Sequence, residues 1–121
     1  MSSAIEGSLG AQGTPALAMC HISHVYETGS SLYFTFLARQ SEGRELEQWG
    51  EVKRAACDAI LAGGGTITHH HAVGRDHAAW MEREIGGGGL RALAAVKREL
   101  DPAGIMNPGK LLPAGGVSPG A

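Results

Sequence analysis

Three consecutive histidines, His69, His70 and His71, close the short β-branched run Thr66-Ile67-Thr68 and stand just before Ala72-Val73-Gly74. The triplet holds half of the chain's six histidines. Imidazole is the one side chain whose unperturbed pKa lies near neutrality, so this cluster is the natural place to look for proton transfer or metal ligation. In an extended segment alternate side chains point to opposite faces, so His69 and His71 would share one side and His70 the other. Two plainer readings stand beside the catalytic one. The triplet can be a solvated histidine-rich turn. It can also be part of a zinc site completed by His21, His24 or His77, but the two cysteines show no CxxC spacing and no H-E-x-x-H helix is present, so no metal is expected. A second candidate group is a phenol. In Leu32-Tyr33-Phe34-Thr35-Phe36, strict alternation puts Leu32, Phe34 and Phe36 on one face and Tyr33 with Thr35 on the other, away from the apolar side.

The elements that must position these groups follow from the patterning. Ala16 to His24 reads as a strand, Glu27-Thr28-Gly29-Ser30 as a turn, and Ser31 to Leu37 as a second strand of β-formers, together a hairpin. From Arg44 to Ala62, Leu46, Trp49, Val52, Ala56 and Ile60 recur at helical spacing, and Gly63-Gly64-Gly65 ends the helix. Thr66 to Thr68 is expected as a third strand leading into the histidines. His77 to Ile85 reads as a short helix with Trp80 and Met81 as packing residues, Gly86 to Gly89 as a break, and Leu90 to Leu100 as a helix with Leu93, Val96 and Leu100 on one face. Asp101-Pro102 through Asn107-Pro108-Gly109-Lys110 holds two prolines and three glycines or asparagines, which dictate turns rather than helix. The expected class is α+β: antiparallel strands with one long helix, followed by C-terminal helices. Residues 1–15 are expected as a flexible lead-in or the tail of a helix begun upstream, residues 16–112 as the folded segment, and residues 113–121 as a disordered tail.

Composition bounds the rest. At 121 residues the chain fits one small domain or part of a larger one, and with aromatics at 5% its core must rest on Leu, Ile, Val and Ala. Ten basic and twelve acidic residues, with no block of like charge, suggest no nucleic-acid partner. Cys20 and Cys57 form no disulfide framework, the start has no signal-peptide pattern, and no apolar run nears the roughly 20 residues that span a bilayer. A reducing, cytoplasmic setting is expected.

Four segments resemble the C-terminal end of the FAD-linked oxidases of the vanillyl-alcohol oxidase superfamily, most strongly the alkyldihydroxyacetonephosphate synthases. They are Met19-Cys20-His21-Ile22-Ser23-His24-Val25-Tyr26, Leu32-Tyr33-Phe34, Gly64-Gly65-Thr66-Ile67-Thr68-His69-His70-His71-Ala72-Val73-Gly74, and Leu100-Asp101-Pro102 through Asn107-Pro108-Gly109-Lys110. The last is shared across FAD-linked oxidases generally. The triplet and the Cys-His-Ile-Ser-His stretch are more specific. Superfamily dehydrogenases of 2-hydroxy acids usually carry Glu-His-Gly-x-Gly where this chain has His70-His71-Ala72-Val73-Gly74, together with a Gly-Asp-Gly-Asn-x-His stretch that it lacks. Exchanging a ligating carboxylate for imidazole removes hard negative charge, which favours the synthase chemistry.

The resemblance implies FAD used without net redox, and acyl-dihydroxyacetone phosphate and a fatty alcohol as substrates. It implies Tyr33 as the group that removes and returns a proton at substrate C1, His70 and His71 beside substrate and flavin, His69 in support, and His71 and Asn107 as flavin contacts. A phenol with a pKa near 10 is a poor base alone and needs an imidazole or the flavin nearby. His21 and His24 are expected to orient the site or pack near it. The family's FAD-binding domain has no counterpart here: no glycine-rich loop follows a strand, and Gly86 to Gly89 follows a helix. The chain is therefore expected to act only with that domain, in a longer parent that is cytoplasmic or membrane-peripheral and can be a homodimer. The alternatives are part of an FAD-linked 2-hydroxy-acid dehydrogenase or oxidase, and a small His-rich domain that binds metal or a partner without catalysis.

Overall fold

The computed structural model describes residues 1–112, so the expected tail over residues 113–121 lies outside the described residues. The chain divides into two compact units, residues 1–65 and the part from Thr66 onward, each described by itself below.

In the first unit, β1 (Ala16–Tyr26) and β2 (Gly29–Ala38) pair antiparallel around the turn residues Glu27 and Thr28. Ala18 faces Phe36, Cys20 faces Phe34 and Ile22 faces Leu32 on one side of the hairpin; Met19 faces Thr35 and His21 faces Tyr33 on the other. The alternation expected for β2 is what the pairing shows. The register shifts at Ser23, so that His24 pairs with Ser31. A bulge of this kind makes the side-chain parity slip by one, so His24 comes out on the same face as His21 instead of the opposite one.

On the first of these faces Ala16, Ala18 and Phe36 pack on residues of two helices, while Ile22 and Leu32 stay exposed. Helix α2 (Glu45–Ala62) agrees with the sequence expectation and buries Val52, Ala56 and Cys57. Trp49 stacks on Phe36 with ring centroids 6.1 Å apart, whereas Leu46, expected on the apolar face, is 87% exposed. The end of α2 closes with Gly65 N–H donating to Ile60 O at 3.0 Å and Gly64 N–H to Leu61 O at 3.0 Å. Gly64 sits at φ +74°, the left-handed position that this closure requires and that glycine adopts without a Cβ clash.

The flexible lead-in is corrected. Ser2–Ala11 form a helix, α1, which packs on α2 and β1. Its sequence is rich in glycine and serine, residues of modest helix propensity, so local pattern does not decide between a flexible lead-in and the tail of a helix. Ile5 and Leu9 lie one turn apart, are each 1% exposed, and form the core with Val52 and Ala56. Burying two such side chains stabilises by roughly 1.5–3 kcal/mol each, enough to override the weak propensity.

In the second unit the expected third strand at Thr66–Thr68 is absent; among the described residues the sheet has two strands. The helix α3 (Met81–Leu100) satisfies the polar groups there instead. Thr66 Oγ1 donates to Glu84 Oε1, and Ile67 N–H donates to Glu84 Oε2 at 3.3 Å. A single 3₁₀ turn, Ala78–Trp80, precedes α3 (Met81–Leu100), with Ala78, Met81 and Leu90 buried. The glycine break is real but only one residue wide. Gly86 has φ +74° and ψ 160°, and helix resumes directly after it.

Candidate functional site

In the first unit the candidate residues form a cross-strand pair. Tyr33 and His21 face each other across the hairpin, with ring centroids 5.3 Å apart and planes 27° apart. Tyr33 is 51% exposed. Beyond the bulge, Ser23 Oγ donates to Ser31 O at 3.3 Å, and His24 Nδ1 lies 3.2 Å from Ser23 Oγ. His24 stacks on Tyr26 at 6.3 Å. One open face of the hairpin thus carries two phenols and two imidazoles in sequence: Tyr33 with His21, then His24 with Tyr26.

In the second unit the candidate residues lie on the histidine loop. Thr68 Oγ1 donates to Ala72 O at 3.2 Å, closing a loop whose tip is the triplet. Ala72 occupies φ +69°, a left-handed conformation that costs an alanine roughly 1–2 kcal/mol and turns the chain at the end of the triplet. The expected alternation of the histidines is overturned by this turn. The His69 and His70 rings meet edge to face at 4.2 Å, and His70 and His71 stack at 4.5 Å, so consecutive rings gather in one column. His69 Nδ1 and His70 Nδ1 are in hydrogen-bond contact, which requires one of them to carry a proton and the other a lone pair. All three rings are exposed. Such a column can pass or share a proton and donate to an anionic or carbonyl oxygen.

The C-terminal turn is fastened to this loop. Asp101, 9% exposed, accepts from Lys97 Nζ and from the N–H groups of Ile105 and Met106, both at 3.0 Å. The Lys97 ammonium holds the Asp101 carboxyl below the ordinary carboxylate range; burial opposes this, and the Met106 and Ile105 N–H groups reinforce it. Lys97 Nζ also donates to Met106 O at 2.6 Å. Asn107 follows at φ +46°, its carbonyl accepting from Lys110 N–H at 3.2 Å, and Leu111 N–H donates to Gly74 O at 2.9 Å. That last bond joins the turn to the strand of chain leaving the triplet. Between them opens a cleft of about 360 Å³ lined by His71, Arg75, His77 and Lys110 among others.

The structure therefore groups His69, His70 and His71 in one column and sets His71 and Lys110 on one cleft. Asn107 shapes the turn but does not line that cleft, and Tyr33 belongs to the first unit with His21. Arg75 and Lys110, two cations on the cleft, are not among the residues that the sequence marks as candidates. Arg75 lies just past the triplet and Lys110 ends the Asn-Pro-Gly-Lys turn, so proximity to those motifs was the available signal. Among the described residues no group of three or more His, Cys, Asp or Glu is arranged to hold a metal ion, and no helix is long and apolar enough to cross a membrane.

Residues 1–111 match the family of FAD linked oxidases, C-terminal domain, and the chain belongs to that family. It is 45% identical over 101 residues to the alkyldihydroxyacetonephosphate synthase of Trypanosoma brucei brucei, a match covering 84% of this chain and 16% of that protein. Against the alkyldihydroxyacetonephosphate synthase of Dictyostelium discoideum it is 41% identical over 102 residues, covering 84% of this chain and 17% of the relative. A mitochondrial cytochrome-type D-lactate dehydrogenase of Arabidopsis thaliana is 43% identical over 97 residues, covering 69% of this chain and 17% of that protein. The chain thus spans about a sixth of the length of the curated relatives it matches.

Proposed function

We propose that this chain works as the C-terminal part of a longer flavoprotein of the alkyldihydroxyacetonephosphate synthase type, which exchanges the acyl group of acyl-dihydroxyacetone phosphate for a fatty alcohol. In that exchange the acyl C1–O bond breaks, the fatty acid leaves, and a C1–O bond to the alcohol forms with loss of the alcohol's proton; no net electrons move. The observation that carries the reading is the exposed Tyr33 phenol stacked on the His21 imidazole. It is an acid–base group in an aromatic setting on the matching motif. Tyr33 removes and returns the proton at C1. The column of His69, His70 and His71 donates hydrogen bonds to the substrate ketone and to the departing carboxylate.

The cleft fits part of a flavin cofactor: His71, Arg75 and Lys110 bring N–H donors and positive charge to an open surface, suited to the polar edge or a phosphate of FAD. FAD, when bound, supplies an electron-poor ring system that activates the substrate carbon. No phosphate-cradling loop stands among the described residues, so the remainder of its grip is assigned to a partner domain of the same flavoprotein. A cytoplasmic or membrane-peripheral location and a homodimer belong to the same proposal.

The experiment is Tyr33→Phe in the full flavoprotein. Ether formation should fall roughly 10²- to 10⁴-fold, the range for one positioned acid–base group, while bound flavin stays at the parent level. Near-normal turnover with flavin retained would sink the assignment. The similarity to a D-lactate dehydrogenase favours a second reading, 2-hydroxy-acid oxidation. Anaerobic bleaching of the flavin by D-lactate, with no ether product from acyl-dihydroxyacetone phosphate and fatty alcohol, would establish it instead.

A further inference from the structure

The proton-exchange role proposed for Tyr33 demands a well-placed hydroxyl, and an exposed strand tyrosine is poorly restrained. Staggered χ1 rotamers are open to it, and each swings the phenol oxygen to a different place. At 51% exposure, packing does not select one. The ring contact that does is the stack with His21, whose centroid lies 5.3 Å away at an interplanar angle of 27°. This lies within the 4.5–7 Å range in which aromatic pairs attract. The two residues are direct cross-strand partners, where side chains approach most closely.

The backbone holds that pair in register. Immediately beyond it, the bulge at Ser23 interrupts the ladder, and Ser23 Oγ bonds to Ser31 O at 3.3 Å and lies 3.1 Å from Ser31 Oγ. A one-residue slip of the strands would move Tyr33 away from His21 and His21 to the other face; a bulge pinned by its own side chain resists such a slip. Bulges next to sites commonly serve to aim a side chain.

We propose that His21 is the positioning residue for Tyr33: its imidazole, acting through the ring stack, holds the phenol in the orientation needed for proton exchange at the substrate carbon. The inference rests on the Tyr33 reading above. A phenylalanine at position 21 keeps a flat ring and loses the imidazole nitrogens, whereas alanine loses the stack. A misplacement of the reacting group by about 1 Å can cost up to about 100-fold in rate. His21→Ala in the full flavoprotein should therefore lower kcat by up to about 100-fold with KM unchanged, and His21→Phe should recover most of that loss. In a Tyr33→Phe background His21→Ala should cost nothing further, because the group it positions is gone. NMR on the chain of residues 1–121 gives a readout independent of turnover: the Tyr33 ring protons should lose their ring-current shift in His21→Ala and keep one in His21→Phe. Unfolding midpoints of both variants identify any loss due to misfolding, and His21→Phe, which keeps the hairpin's aromatic pair, decides the question even if His21→Ala is unstable. If Tyr33→Phe abolishes turnover while His21→Ala retains full kcat, the positioning inference is overturned and the Tyr33 reading stands. Equal losses in His21→Ala and His21→Phe would also overturn it, since the stack would then not be what matters. If Tyr33→Phe itself retains turnover, the reading beneath the inference fails, and the inference with it.

Discussion

Replacing Gln48 by alanine tests whether the first unit is held by a polar junction as well as by its core. Gln48 is 6% exposed on α2. Its Nε2 donates to Thr14 Oγ1 at 2.8 Å and to Arg39 O at 3.2 Å, and its Oε1 accepts from Ser41 N–H at 3.2 Å. Thr14, 8% exposed, in turn donates to Leu9 O at 3.1 Å. One side chain therefore ties the connection between α1 and β1, the connection between β2 and α2, and α2 itself. Arg39 is exposed and Ser41 half-buried, so water can replace those two bonds at a net cost of roughly 0.5 kcal/mol each. Thr14 keeps its own donor bond but loses its partner in a buried place, which adds roughly 1–2 kcal/mol. The expected destabilisation is about 2–3 kcal/mol, a large share of the 5–15 kcal/mol typical of a small domain. Urea unfolding followed by Trp49 fluorescence, in a Trp80→Phe background so that Trp49 alone reports, should show a lower midpoint with an unchanged slope. A cycle with Thr14→Val should give a coupling of about 1 kcal/mol or more. A loss below about 0.5 kcal/mol, the range of an ordinary surface substitution, together with no coupling to Thr14, would refute the junction.

Other perturbations test the remaining elements. Leu9→Ala should destabilise the first unit by about 2–5 kcal/mol, since Leu9 is 1% exposed in the core; a loss near zero by the same unfolding assay would mean that α1 is not a core element. In α3, Gly86→Ala should cost about 1–3 kcal/mol because φ +74° with ψ 160° is open only to glycine, whereas Gly88→Ala, whose added Cβ would lie 4.0 Å from Arg91 Nη2, should stabilise by about 0.5–1 kcal/mol; thermal unfolding that moved both in the same direction would contradict the one-residue break. Asp101 has a depressed folded-state pKa, so its contribution is present above the unfolded value of about 4 and is lost as pH falls through the folded one. The Ile105 and Met106 amide resonances should accordingly move only in acid below about pH 4, and Asp101→Asn should abolish that transition. An unchanged acid transition in Asp101→Asn would show that another group fastens the turn.

Short-range pattern settled much of this protein before any contact was known. Alternation in Leu32 to Phe36 set Tyr33 on the face away from Phe34 and Phe36, and the helical spacing of Val52 and Ala56 before Gly63-Gly64-Gly65 located α2 and its end. The family was legible from the triplet and its neighbours, because those residues are contiguous and carry their own chemistry. What depended on tertiary structure is of another kind. A turn over Glu27 to Ser30 would set Tyr33 opposite His24; the observed turn at Glu27 and Thr28, with the bulge at Ser23, sets it opposite His21. The triplet stacks as a column rather than alternating, because Thr66 to Thr68 finds Glu84 instead of a partner strand and Ala72 turns left-handed. Helix α1 forms from a glycine- and serine-rich stretch because Val52 and Ala56, more than forty residues on, cover Ile5 and Leu9. Pattern records which side chains favour burial or an extended backbone, whereas register, bulge and partner are settled by contacts between distant residues, whose free energies exceed the local preferences they override.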